Sequence, residues 1–162
     1  MRSDGKYYVA DFTLTELRLL KRSMREDYRS PFLNDKWEIL TLQELIEWVT
    51  MLNKDYPREI GNDRKYPVGL YIELKDYADN LSHTGFDGAE ELHALLAHYG
   101  LGTIADCTDK MPIIIQSFEE PALDKIASLS DLPLVRCVGY TETTEAEWET
   151  MSLKYNAVGA NS

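Results

Sequence analysis

Two charged residues stand at the end of a segment that is typical of a buried strand. Val68-Gly-Leu-Tyr-Ile-Glu-Leu is short, apolar and rich in β-branched and aromatic residues, with Glu73 near its end and Lys75 just after it. Residues two positions apart share one face of a strand. A carboxylate there can ligate a hard divalent cation, and an ammonium can bind a phosphate. The same pair could instead form a plain strand-end salt bridge or lie solvated in a loop.

A second apolar segment ends in a similar way. Three consecutive isoleucines, ending at Ile115, precede Gln116, and Phe118 follows two positions later on the same face. In α/β folds, ligands bind beyond the carboxyl ends of the parallel strands. The two segment ends are therefore candidate parts of one pocket. Gln116 could equally be a rim residue bonded to backbone, and Phe118 a plain core residue.

Other residue types that often carry chemistry are less favourably spaced. His93 and His98 are five positions apart, which places them on different faces of a helix and argues against a shared metal site. His83 follows the first segment and could overhang a site at the strand ends. Cys107 and Cys137 form no CxxC pair, so we expect two ordinary thiols. The acidic cluster is predicted to be a solvated helix start, and it comprises Glu142, Glu145, Glu147 and Glu149.

The strands that carry these residues alternate with amphipathic helices. Spacing and capping residues predict a first helix behind Thr13 that runs toward Met24, and further helices over 42–53, 89–99, 121–130 and 145–155. Strands are predicted over 68–74, 112–118 and 134–138, and loops over 54–66 and 75–86. Gly100 is the expected end of the 89–99 helix. This order implies parallel βαβ units, with too few strands for a complete eight-stranded barrel.

Composition limits the classes of protein. A length of 162 residues predicts one domain, and 44% hydrophobic with 28% charged residues is ordinary for a globular chain. The formal net charge of −11 argues against non-specific binding to nucleic acid or to an anionic membrane surface. No apolar run approaches the ~20 residues of a membrane span, and no signal peptide is expected at the first residues.

Several segments together resemble the glycerophosphodiester phosphodiesterases, whose domain is a (β/α)8 barrel. The matching segments are Val9-Ala-Asp-Phe-Thr-Leu-Thr-Glu-Leu, Ile39-Leu-Thr-Leu-Gln-Glu-Leu-Ile, Gly69-Leu-Tyr-Ile-Glu-Leu-Lys, Ile113-Ile-Ile-Gln-Ser-Phe-Glu and Pro133-Leu-Val. The resemblance covers residues 7 to 160, and the order and spacing of the segments are more specific than any one of them.

The resemblance implies roles for four residues. In that family, three carboxylates hold a divalent cation, commonly Ca²⁺ or Mg²⁺, and two histidines act as general acid and base. By resemblance, Glu73 is one metal ligand and Lys75 contacts the phosphate. Gln116 and Phe118 would line the substrate pocket.

Parts of the family pattern have no counterpart in this chain. These are the His-Arg-Gly strand, the segment with the other two metal carboxylates, and the closing strands. The resemblance therefore implies an α/β fold in the form of a partial TIM barrel that lacks its first and last strands. It also implies a single incomplete domain over residues 1–162.

The function implied by the resemblance is metal-dependent hydrolysis of a small glycerophosphodiester to glycerol 3-phosphate and an alcohol. The 162-residue chain is expected to be inactive alone, because the histidines and two carboxylates are missing. One alternative is a non-catalytic relative that binds a phosphoester or a basic protein partner. Another is an unrelated α/β module. The sequence leaves the alcohol, the cation, the oligomeric state and the compartment open.

Overall fold

The computed structural model describes residues 2–24, 26–55, 59–60, 64–65, 67–139 and 143–161. These residues belong to two compact units, Met1–Leu45 and Ile46–Ser162. Within the described ranges, no helix has both the length and the apolar character needed to cross a membrane.

The first unit consists of short turns of helix. Helix α1 spans Leu14–Leu17, and 3-10 turns span Val9–Asp11 and Pro31–Leu33. The prediction that α1 continues toward Met24 is wrong. The backbone of Arg22 pairs with a later segment instead, since its N–H donates to the carbonyl of Trp37 and its carbonyl accepts from the N–H of Asp35, both at 3.0 Å. None of the described side chains in residues 2–45 is buried.

Helix α2 spans Leu42–Asp55 and confirms the predicted second helix. Its start is a capping box, in which the N–H of Thr41 donates to Glu44 Oε2 at 2.8 Å and the N–H of Glu44 donates to Thr41 Oγ1 at 3.2 Å. Ile46 and Val49, from its predicted apolar stripe, are buried.

A four-stranded parallel sheet is the centre of the second unit. Its strands are β3 (Leu70–Glu73), β4 (Ile113–Ser117), β5 (Leu134–Gly139) and β6 (Ala157–Asn161), in that order across the sheet. The first three of these strands confirm the prediction. A separate antiparallel pair, β1 (Glu59–Ile60) and β2 (Arg64–Lys65), lies in a segment that was predicted to be a loop.

Strand β6 was not predicted, because its residues are small and include Gly159. Its place is fixed by the neighbouring strand rather than by its own pattern. Gly159 pairs with Cys137 of β5, and the Asn156 side chain accepts a hydrogen bond from the N–H of Leu134 at 2.8 Å.

Five helices follow β3 in the described part of the chain. They are α3 (Tyr77–Thr84), α4 (Gly88–His98), α5 (Ile104–Cys107), α6 (Glu120–Leu129) and α7 (Glu145–Lys154). Helices α4, α6 and α7 were predicted, α5 was not, and α3 replaces a predicted loop. Gly100 ends α4 as expected, with φ of +64°. Leu101 N–H then donates to Leu96 O at 2.8 Å, and Gly100 N–H to Ala97 O at 3.0 Å, as in a Schellman motif.

One face of the sheet is buried against a helix, and the other face is partly exposed. Ile113 and Ile115 of β4 are buried on the face that packs against α6. Tyr71 and Ile114 point to the opposite face and are 56% and 38% exposed. A parallel sheet with helices on one face is compatible with part of a (β/α)8 barrel. Within the described residues the parallel sheet has four strands and does not close into a barrel.

Candidate active site

The four predicted site residues meet at the carboxyl end of the parallel sheet. Glu73 is the last residue of β3 and pairs in register with Gln116 of β4. Lys75 and Phe118 follow the ends of these two strands. All four line one cavity of about 420 Å³, together with Tyr71, Cys137 and Gly159. Both strand ends therefore contribute to one pocket, as their sequences indicate.

Glu73 and Lys75 form an ion pair. Nζ of Lys75 lies 3.4 Å from Oε2 of Glu73. The two side chains differ in burial, since that of Glu73 is 23% exposed and that of Lys75 is 70% exposed. An ion pair with one exposed partner contributes at most about 1 kcal/mol. The ammonium can therefore leave Glu73 for an anion that enters from solvent.

Gln116 is bonded to a side chain of the next strand. The thiol of Cys137 donates to Oε1 of Gln116, with Sγ 3.1 Å from the oxygen. Burial raises the pKa of the Cys137 thiol, and the negative charge of Glu73 raises it further. The thiol is therefore protonated near neutral pH and serves as the donor. This bond fixes the Gln116 carbonyl toward β5.

Phe118 is not a core residue, because 43% of it is exposed. It lies just past β4 and lines two cavities, the one of about 420 Å³ and a neighbouring one of about 380 Å³. The second cavity is formed by the residues that follow the two strands, and its lining is Glu73, Leu74, Lys75, Asp76, Phe118 and Glu119. The phenyl ring thus forms a shared wall.

Tyr71 is a site residue that the sequence argument missed. It lies two positions before Glu73 on the same face of β3 and lines the larger cavity. Partial burial raises the pKa of its hydroxyl, and the nearby Cys137 and Glu73 raise this pKa further. The alternation of side chains along β3 was the signal that could have identified it.

None of the three histidines, all of which are described, lines either cavity. His83 was expected in a loop that could overhang the site; it sits instead in α3, with Nδ1 3.1 Å from Oδ1 of Asp79, and is not a lining residue of either cavity. His93 and His98 lie on α4, where the ring of His98 packs edge-on against Tyr99 with 5.2 Å between centroids.

The described residues do not by themselves fit a hard divalent cation. Glu73 is the one carboxylate that lines the larger cavity, whereas Ca²⁺ or Mg²⁺ requires six or more oxygens. Across the described ranges, no group of three or more His, Cys, Asp or Glu residues is arranged to hold a metal ion. Glu147 accepts from the N–H of Thr144 at 2.7 Å, which confirms its place in a helix start, and Glu142 lies outside the described residues.

The curated proteins that are similar to the chain include two glycerophosphodiester phosphodiesterases. One is a glycerophosphodiester phosphodiesterase of Haemophilus influenzae, 29% identical over 166 aligned residues that cover 90% of this chain and 41% of that protein. The other is a glycerophosphodiester phosphodiesterase of Arabidopsis thaliana, 30% identical over 131 residues that cover 78% of this chain and 32% of that protein. The chain thus spans less than half the length of either relative. No family model matches it.

Proposed function

Since this chain is related to the glycerophosphodiester phosphodiesterases, we propose that it forms the phosphate-contacting part of such a hydrolase. The proposed substrate is a small glycerophosphodiester, and the products are glycerol 3-phosphate and an alcohol. One observation carries the proposal: Glu73, Lys75, Gln116 and Phe118 line a single cavity at the carboxyl end of a parallel sheet.

In this proposal, Lys75 binds the non-bridging oxygens of the phosphodiester. The substrate is an anion, so it competes with Glu73 for the exposed ammonium. Negative charge on these oxygens grows as the oxygen of water adds to phosphorus and the bond to the alcohol oxygen breaks. The water proton ends on the alcohol. An ammonium beside the phosphoryl group stabilises that charge more in the transition state than in the substrate.

Glu73 is proposed as one ligand of a divalent cation, whose chemistry would be to polarise the phosphoryl group. The other ligands would come from outside the described residues, because Glu73 is the one carboxylate of the larger cavity and no described group of His, Cys, Asp or Glu residues is arranged to hold a metal ion. We therefore propose that the isolated chain binds phosphoesters without hydrolysing them at a useful rate. Within the described residues, no histidine lines either cavity to act as acid or base.

The larger cavity also suggests how the rest of the substrate is held. Gln116 presents an amide whose orientation is fixed by Cys137, and Phe118 offers an exposed aromatic wall. The amide suits a hydroxyl of the glycerol group, and the ring suits the alcohol moiety.

Two measurements test the proposal. Turnover of glycerophosphocholine is followed in the protein at the length its source produces, with Ca²⁺ or Mg²⁺ and with a chelator. Binding of glycerol 3-phosphate to the 162-residue chain is followed by ¹⁵N NMR. We expect Glu73→Gln and Lys75→Ala each to reduce kcat/KM by about 100-fold or more. Glu90→Gln and Lys125→Ala are matched controls, because this exposed ion pair lies outside both cavities.

The results separate the hydrolase from a non-catalytic module that binds phosphoesters. Chelator-sensitive turnover that requires Glu73 supports the hydrolase. Binding that requires Lys75, without turnover at native length, supports the non-catalytic module. The Glu73–Lys75 ion pair also favours the module, because it supplies one carboxylate. Turnover and binding that persist in both variants contradict the assignment of the site.

A further inference from the structure

The segment between Lys75 and helix α3 cannot cap that helix with its own residue. Asp76 occupies the position before α3, and its φ of +52° places it in the left-handed region. A capping side chain normally projects from extended backbone, and Asp76 makes no side-chain cap bond. The first amides of α3 must therefore find acceptors elsewhere.

Glu119 supplies those acceptors from a distant part of the sequence. Its Oε1 accepts from the N–H of Tyr77 at 2.6 Å, and its Oε2 accepts from the N–H of Ala78 at 2.9 Å. Glu119 precedes helix α6, yet its side chain makes no cap bond to that helix. The carboxylate thus joins the end of β4 to the start of α3.

Ser117 makes a second connection on the other side of Lys75. It is fully buried, and its hydroxyl donates to the carbonyl of Leu74 at 2.7 Å while accepting from the N–H of Glu119 at 3.0 Å. The N–H of Leu74 also donates to the carbonyl of Gln116 at 2.9 Å. Backbone on both sides of Lys75 is therefore tied to the end of β4.

We infer that Ser117 and Glu119 are positioning residues that hold the Glu73–Lys75 pair at the cavity, and this inference rests on the function proposed above. Neither is assigned contact with the substrate. The long side chain of Lys75 is exposed, so its backbone is what the protein can fix. Both oxygens of Glu119 are engaged by amides, although Glu119 lines the same cavity of about 380 Å³ as Lys75. The carboxylate therefore orders the segment without replacing Glu73 as the partner of the ammonium.

The test compares Glu119→Ala, Glu119→Gln and Ser117→Ala in the full chain with Glu120→Gln as the matched control. Glu120 is the next residue, is exposed, and pairs with Lys154. Glycerol 3-phosphate is titrated into each ¹⁵N-labelled protein, and thermal unfolding is recorded in parallel. We expect Glu119→Ala to raise Kd about tenfold at a temperature where it remains folded. Glu119→Gln keeps one acceptor and should fall between Glu119→Ala and wild type, while Glu120→Gln should stay within about twofold of wild type.

The pattern of results distinguishes the inference from the function on which it rests. Unchanged affinity in Glu119→Ala and Ser117→Ala, with wild-type binding still abolished by Lys75→Ala, overturns the positioning roles alone. If Lys75→Ala binds glycerol 3-phosphate as tightly as wild type does, both the proposed function and this inference are overturned. If Glu119→Ala does not fold, Glu119→Gln and Ser117→Ala decide, since each retains part of the connection. A lower melting temperature with unchanged Kd would mean that the connection serves only stability, which also contradicts the inference.

Discussion

The side-chain amide of Asn53 forms two hydrogen bonds with the backbone of Val68. Its Nδ2 donates to the Val68 carbonyl at 3.0 Å, and the Val68 N–H donates to its Oδ1 at 2.7 Å. Nδ2 also donates to the carbonyl of Lys110 at 3.0 Å. Since these two backbone positions lead into β3 and β4, one residue near the end of α2 fixes the entrance to both site-bearing strands.

We expect Asn53→Ala to lower the free energy of unfolding by about 1–3 kcal/mol, because two partly buried backbone groups of Val68 and the exposed carbonyl of Lys110 lose their partner. Asn53→Asp keeps the acceptor for Val68 but loses both donated bonds, so it should also destabilise the fold. Urea unfolding followed by circular dichroism measures both values. If Asn53→Ala is as stable as wild type, water must replace the hydrogen bonds that Asn53 makes to these backbone groups.

A second prediction concerns the charge of Glu73 and the reactivity of Cys137. Burial raises the pKa of this thiol, and the Glu73 carboxylate adds to the effect. Glu73→Gln removes a negative charge, so the thiol pKa should fall and alkylation by iodoacetamide should accelerate between pH 8 and 9 by roughly two- to fivefold. Mass spectrometry of the peptide that contains Cys137 gives the rate.

Cys107 is the internal control for that experiment, since it is a buried thiol outside both cavities. Its rate should be the same in Glu73→Gln and wild type. Equal acceleration of both cysteines would indicate general loosening of the protein, and no change at Cys137 would place Glu73 too far away to act on the thiol.

The carboxylate of Asp87 should stabilise the fold to an extent that depends on pH. Its Oδ1 accepts from the N–H groups of Ala89 and Glu90 at 3.1 Å, and Tyr77 donates to Oδ2 at 3.2 Å. Burial acts to raise the pKa of Asp87, but these hydrogen bonds and Lys125 outweigh it and hold the pKa below its usual 3.8. The ionised form is therefore the one that stabilises the fold, and its contribution is lost as pH falls below about 4.

Asp87→Asn keeps an oxygen for the cap but removes the charge. We expect it to be about 0.5–1 kcal/mol less stable than wild type at pH 7. The difference should shrink as the pH of the unfolding measurement falls from 7 to 3, because the contribution of the ionised carboxylate to wild-type stability is progressively lost in that range. A difference that is constant from pH 7 to pH 3 would contradict the assigned role of the carboxylate.

The backbone at Gly69, at the start of β3, leaves no room for a side chain. A Cβ at this position would lie 2.3 Å from the carbonyl oxygen of Pro112, which accepts the N–H of Leu70 at 2.9 Å. Gly69→Ala should therefore cost about 2 kcal/mol or more. Gly88→Ala is the matched control, because its Cβ would make ordinary contacts of 3.6 Å and 3.8 Å at the start of α4. It should be neutral or stabilising by up to about 1 kcal/mol in the same thermal unfolding assay.

The parts of the fold that could be predicted from the sequence are those whose signals are local. The apolar run at Ile113–Ile115 indicated a buried strand, and the capping box at Thr41 marked the start of α2. The shared cavity could be predicted because ligands bind beyond the carboxyl ends of parallel strands. This rule places the residues at the ends of β3 and β4 together even when the register of the strands is unknown.

The parts that could not be predicted depend on distant residues. Helix α3 follows a left-handed Asp76 and is capped by Glu119, 42 positions away from Tyr77, so its own segment has the composition of a loop. Strand β6 is defined by the pairing of Gly159 with Cys137. Tyr71 was overlooked because an aromatic residue within an apolar strand suggests core, whereas that face of the sheet is exposed.

The order of the parallel strands across the sheet is also their order along the chain. Each strand from β4 onward therefore pairs with one that the ribosome has already made, and the sheet can grow in the direction of synthesis. Glu73 and Lys75 therefore leave the ribosome before Gly159 of β6, which also lines the cavity. A nascent chain halted after β5 would therefore hold the charged pair beside a cavity that still lacks Gly159.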